Sequence, residues 1–199
     1  ILTGCITLCS LILALVIPAK YTPKCEYHST FHISSFIAFA VSSLLGMALS
    51  AAAAFRFVQL LPEFANMSYG GVLVLVLSFL SGISVIIMSV SSYTGKHIAG
   101  IKIASIIPCT FFCLRLLELY TENSANPVLL DFIFPCFACI TASLSFFYNA
   151  GFAFGKSKIK FTISFELLAI YFCTLSLADP LQESEKIFFI LFLLIQIIN

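Results

Sequence analysis

Cys136-Phe137-Ala138-Cys139 places two cysteines at the spacing with which paired thiols exchange with disulfides. Such an exchange begins with a thiolate that can reach a disulfide near a surface. Here Pro135 precedes the pair, Phe134, Phe137 and Ile140 flank it, and it starts about two turns into an apolar run. The sequence holds no second CxxC to pass electrons on. A membrane thiol–disulfide oxidoreductase using Cys136 and Cys139 is therefore the rival reading rather than the leading one.

Charged residues inside apolar sequence make the strongest polar cluster. Arg115, Glu118 and Glu122 fall at i, i+3 and i+7, on one face of a helix, and Asp131 enters the next span after a short connection. Ionisable groups at membrane depth are costly, and they normally pair or face a cavity. Arg115 is expected to pair with Glu118 or Asp131. The cluster is either an anion or proton-relay site, or a clamp that fixes one hairpin, and the clamp is the simpler expectation. Glu166 lies about one and a half turns inside another span, downstream of Lys156, Lys158 and Lys160. It is placed to bind a cation or proton, or to neutralise Lys102 or a loop lysine.

Cys25, His28 and His32 follow a C-x2-H-x3-H spacing, with Glu26 as the nearby fourth donor for a metal such as zinc. The loop is short, and no metal is assigned. No Gly-rich phosphate loop or nucleophile–His–Asp arrangement occurs, so neither a cofactor nor an enzymatic reaction is expected.

The elements that must position these residues are written in hydrocarbon. Of 199 residues, 61% are hydrophobic and 10% charged, which leaves room for a single transmembrane domain over residues 1–199. The opening on Ile1 and the apolar end suggest a fragment. A net charge of +1 without a basic face argues against a nucleic-acid partner; the bilayer itself is the expected one, and a small-molecule ligand is left unassigned. The eight cysteines lie mostly singly or at helical spacing in apolar runs, where a free thiol packs as a small hydrophobe.

Apolar runs between breakers predict an all-α polytopic bundle of six to seven helices, over about Ile1–Ile17, Ile33–Phe55, Val72–Val90, Ile98–Leu119, Val128–Phe154, Phe161–Ala178 and Ile187–Ile198. Pro108 and Pro135 fall inside two of these and are expected to kink them. Asn126-Pro127 reads as a helix start. Lys20, Lys24, Lys96, Lys102, Lys156, Lys158 and Lys160 all fall to one side, while the other side holds Arg56 and Lys186 among Glu63, Glu122, Asp179, Glu183 and Glu185. Excess lysine in short loops marks the cytoplasmic face of a cell inner membrane.

Small residues recur every fourth position in the second span: Ala38, Ser42, Gly46, Ser50 and Ala54. Ser78 and Gly82 repeat the spacing in the third, and Ala138, Ala142, Ser145 and Asn149 do so in the fifth. Such stripes let helices approach closely, as packing seams or as the docking face for a partner membrane subunit. In size and Ala-rich helix, the chain is similar to substrate-capturing subunits of energy-coupling-factor transporters. Leu114–Gly155, with LRLLELYTENSANPVLLDF leading into the fifth span and AGFAFGK closing it, resembles uncharacterised small multi-spanning membrane proteins of Gram-positive bacteria. That resemblance implies a bacterial inner membrane and no activity. The leading expectation is a non-enzymatic transporter-like component or accessory membrane subunit, with a purely structural membrane protein as the plainer alternative.

Overall fold

A backbone in lipid finds no water for its N–H and C=O groups, so apolar runs fold as helices that bond within themselves. The computed structural model describes residues 35–60, 69–95, 100–124, 132–156, 158–178 and 183–198. Six helices fill them: α1 (Phe36–Leu60), α2 (Tyr69–Thr94), α3 (Ile101–Asn123), α4 (Ile133–Ala153), α5 (Ile159–Ser176) and α6 (Glu183–Ile198). They match the second to seventh expected spans. The first span, the Cys25–His28–His32 group and Asn126-Pro127 lie outside the described residues. Five helices, α1 to α5, are long and apolar enough to cross a membrane, and α6 reaches about 24 Å at ~1.5 Å per residue. The chain is an all-α integral membrane protein.

Two expectations at helix ends are corrected. Pro135 is the third residue of α4, which begins at Ile133 rather than Val128. Amides in a helix's first turn have no partner inside the helix, so Pro135 starts α4 without kinking it. Pro108 does lie within α3, and a ring there removes one helical hydrogen bond. The other correction concerns α6, which begins four residues before the apolar run at Ile187 and so takes Glu185 out of the connecting loop.

Glycine closes α2 and α4. Gly95 and Gly155 have φ of 63° and 70°, the left-handed region in which a side chain would be strained. At Gly155 the amide of Lys156 reaches Gly151 O at 2.8 Å and that of Gly155 reaches Phe152 O at 3.1 Å, a Schellman turn that satisfies the last carbonyls of α4.

Each helix packs on the next in sequence, and α6 returns to α1, closing a ring. The small-residue stripe is the seam between α1 and α2. A Cβ on Gly82 would lie 2.7 Å from Ser50 N and 2.8 Å from Gly46 O, backbone atoms that cannot move aside, and one on Gly46 would lie 2.7 Å from Ile86 Cγ1. Serines fill the α2 side of the bundle without leaving hydroxyls unbonded: Ser78, Ser81 and Ser84 donate to carbonyls one turn back at 2.7 Å each. The opposite face of α1, with Val41, Leu44 and Met47, is exposed as lipid requires.

Four phenylalanines tie α3, α4 and α6 together. Phe192 of α6 has ring centroids 4.4 Å from Phe112, 5.6 Å from Phe111 and 6.0 Å from Phe146. These edge and offset contacts add to packing in lipid, where the hydrophobic effect between helices is absent.

Candidate functional site

At one end of the ring, the end of α1 and α3 and the start of α2, α4 and α6 converge on Arg115. Its backbone turn puts Glu118 one turn further along the same face, and its Nη1 donates to Glu118 Oε2. Its Nη2 donates to Glu185 Oε1, from the first turn of α6. Arg56, near the end of α1, reaches the same Glu185 oxygen at 3.7 Å. Among the described residues, two guanidiniums and two carboxylates therefore form a charge-balanced quartet across three helices. The arginine is the deepest member, with 7% of its side chain exposed.

Burying ions this well leaves a net gain only where each is matched in charge and hydrogen-bonded. Among the described residues Arg115 is matched twice, by hydrogen bonds to Glu118 and Glu185, and Arg56 adds its charge to Glu185 at 3.7 Å. Glu185, on the first turn of α6, also benefits from the partial positive charge of that helix terminus.

Beneath the quartet is a cavity of about 190 Å³. Its walls are largely aromatic, from Phe111, Phe112, Phe188 and Phe192, with Ser78 and Cys139 contributing the other polar and soft surface. Gly71, at the start of α2, leaves room at its edge. Chemically the cavity offers an apolar wall for a small body and four ions that can exchange partners at its mouth.

Of the residues singled out from sequence, Arg115 and Glu118 pair as expected, while Asp131 lies outside the described residues, as does the side chain of Glu122. The main partner from another helix is Glu185, which sequence reasoning had placed in a loop. Arg56 was also missed, although both arginines precede a glutamate by seven residues near the end of a span (Arg56 and Glu63, Arg115 and Glu122), a signal that could have suggested a shared site.

Cys136 and Cys139 are both free thiols. Cys139 is fully buried and faces the cavity, and Cys136 is half-buried one turn before it. No metal-binding group of three or more His, Cys, Asp or Glu occurs among the described residues.

The opposite end of the ring carries the lysines and Glu166. The expected pairing of Glu166 with Lys102 or a loop lysine is not what the structure holds. Lys102 lies over the Phe154 ring and Lys158 over the Phe161 ring, each with Nζ 5.8 Å from the centroid. Aromatic faces draw these cations by their quadrupole, away from the carboxylate. Glu166 accepts instead from Asn149 Nδ2 at 3.0 Å. Asn149 belongs to the buried small-residue row of α4 and had been counted only as packing.

In comparisons with known proteins, no family model, no curated protein and no solved structure matches the chain.

Proposed function

We propose that this chain is a non-enzymatic, transporter-like component of a bacterial inner membrane, and that the cavity under Arg115 receives a small solute carrying both a positive and a negative charge. The observation that carries this reading is the pairing of a neutral ion quartet with an aromatic-walled cavity at one end of a helix ring. A cavity of about 190 Å³ has room for a solute of amino-acid size. Each arginine is already answered by a glutamate. A zwitterion can take over one partner of each sign and leave no ion unmatched, whereas a simple anion would displace a glutamate into an apolar wall.

Thermal unfolding of the purified protein in detergent, scanned against small zwitterions, anions and cations, tests the reading. Saturable stabilisation by zwitterions, lost in Arg115→Ala, is the expected result. The absence of any stabilisation by a broad zwitterion panel, or equal stabilisation by all charged solutes, would sink it.

The mutual neutrality of the quartet favours one second reading, a clamp in a purely structural membrane protein or accessory subunit. A partner subunit would not use the middle of the α1 stripe, which α2 occupies, and would meet α1 on its outward face. The lysine-rich end is assigned to the cytoplasm by the excess of Lys102, Lys156, Lys158 and Lys160 there, which puts the quartet on the outer side.

A further inference from the structure

The lysine-rich end of the ring holds a second polar arrangement, separate from the cavity. Glu166 stands about 10 Å along α5 from Ile159 at ~1.5 Å per residue. Its carboxylate accepts from Asn149 Nδ2 at 3.0 Å. Asn149 is 2% exposed, and its Oδ1 has no hydrogen-bond partner among the described residues. One turn earlier on the same face of α4, Ser145 donates to Gln196 Oε1 of α6 at 2.9 Å. Gln196 is equally deep, and its Nε2 has no partner among the described residues.

A buried amide oxygen without a donor is costly, so a donor that satisfies it is strongly favoured. An amide and a carboxyl group are both planar three-atom forks. When one edge of the amide donates Nδ2–H to one carboxyl oxygen, a hydrogen on the other carboxyl oxygen completes the ring by donating to Oδ1. The carboxylate form of Glu166 cannot supply that hydrogen, and the carboxylic acid form can.

We propose that Glu166 and Asn149 form a proton-binding site within the bundle. Hydronium gives its proton to Glu166 Oε2 and is left as water, and the new hydroxyl donates to Asn149 Oδ1 while Nδ2 continues to donate to Oε1. On release, the O–H bond breaks, the proton returns to water as hydronium, and Oδ1 again lacks its donor. The groups around the site leave the proton as the means of neutralising Glu166. From α4 it faces Asn149, and Tyr148 stacks on Phe161 and Phe165. From α6 the described titratable side chains, Glu185 and Lys186, lie near its start at the other end of the ring. Lys158 is the N-cap of α5 and Lys160 belongs to its first turn, and no ion pair joins a lysine to Glu166 among the described residues. The Ser145–Gln196 pair extends the polar string from this site towards α6.

The full chain, reconstituted in phosphatidylcholine vesicles at neutral pH, is treated with dicyclohexylcarbodiimide, an apolar reagent that adds to protonated carboxyl groups, and adducts are located by mass spectrometry. The expected result is modification at Glu166 and none at Glu118 or Glu185, whose carboxylates are bonded to Arg115. A folded protein with no adduct at Glu166, or with equal adducts at all three, would overturn the proposal. Glu166→Gln gives a second measure, because its amide N–H can donate to Asn149 Oδ1 permanently. The acid form is the one that satisfies the pair, so wild-type thermal stability is expected to fall as pH rises above the ordinary carboxylate range, while Glu166→Gln folds normally and stays flat over the same range. A flat wild-type profile together with a destabilised Glu166→Gln would show that Glu166 sits there as an ionised hydrogen-bond acceptor and binds no exchangeable proton.

Discussion

Glu118 and Glu185 both bond Arg115, yet removing them should have unequal effects, because the unfolded state of a membrane protein keeps its helices. Glu118 is on the same helix as Arg115, at i+3, so that pair persists when the helices separate within the bilayer. Glu185 meets Arg115 only when α6 docks. Its side chain is 12% exposed and it also holds Arg56 at 3.7 Å. Breaking a buried pair by removing one partner costs about 3–5 kcal/mol when the remaining ion is stranded. In Glu185→Gln, Arg115 keeps Glu118, and the gap is partly bridged by the glutamine, which lowers the expected loss to about 2 kcal/mol. Glu118→Gln should lose under ~1 kcal/mol, since the pair it removes is present in both states. Arg115→Ala removes the shared partner of both glutamates and belongs near the full ~3 kcal/mol. The double variant Arg115→Ala with Glu185→Gln should then lose less than the sum of the singles by about 1–2 kcal/mol. The assay is reversible unfolding in bicelles, following α6 release with a label on Ile197. Equal losses for the two glutamate variants, or strict additivity in the double, would refute the claim that Glu185 is the docking partner.

Other consequences follow from the packing. Gly82→Ala places its methyl group 2.7–2.8 Å from the backbone of Ser50 and Gly46, and should destabilise the bundle by about 2 kcal/mol, more than Gly46→Ala, whose backbone contacts, Gly82 O and Ile86 N, lie at 3.0 and 3.2 Å. Comparing melting temperatures of the two variants in one detergent decides it. Phe192→Ala empties the centre of the four-ring cluster and should cost about 3 kcal/mol, measured in the same way. Cys136 and Cys139 should stay reduced in air-oxidised membranes, with alkylation patterns unchanged by reductant, because Cys139 is fully buried; a reversible disulfide between them would revive the redox reading. A cysteine probe at Ser124 should label from outside intact cells and one at Ser157 should not; the reverse would invert the orientation.

The described spans were legible because a single property, unbroken hydrocarbon, specifies each of them. The α1–α2 seam was legible for a related reason: only a row of small residues lets two backbones meet, so Gly46, Ser50 and Gly82 announce themselves. The Arg115–Glu118 pair was visible as an i, i+3 spacing. Glu185 was not, because hydropathy counting ends a helix where charges begin, whereas α6 runs on into its charged first turn once a neighbouring arginine answers them. Asn149 shows the other blind spot. It keeps the 4-3-4 rhythm of small residues on α4 and so passes for packing; that it faces Glu166 depends on how α5 lies against α4, which no local pattern records.

The closure of the ring by α6 has a consequence for how the protein is made. Glu185 follows Arg115 by 70 residues. At ~5–20 residues per second, a ribosome delivers the carboxylate about 4–14 s after the arginine that needs it. Through that interval α1 to α5 can already have entered the bilayer, but the shared counter-ion of Arg56 and Arg115 is still inside the synthesis machinery. The docking of α6 is thus a late step in assembly: until then Arg115 keeps Glu118 on its own helix, and the carboxylate that ties α1 and α3 to α6 has yet to arrive.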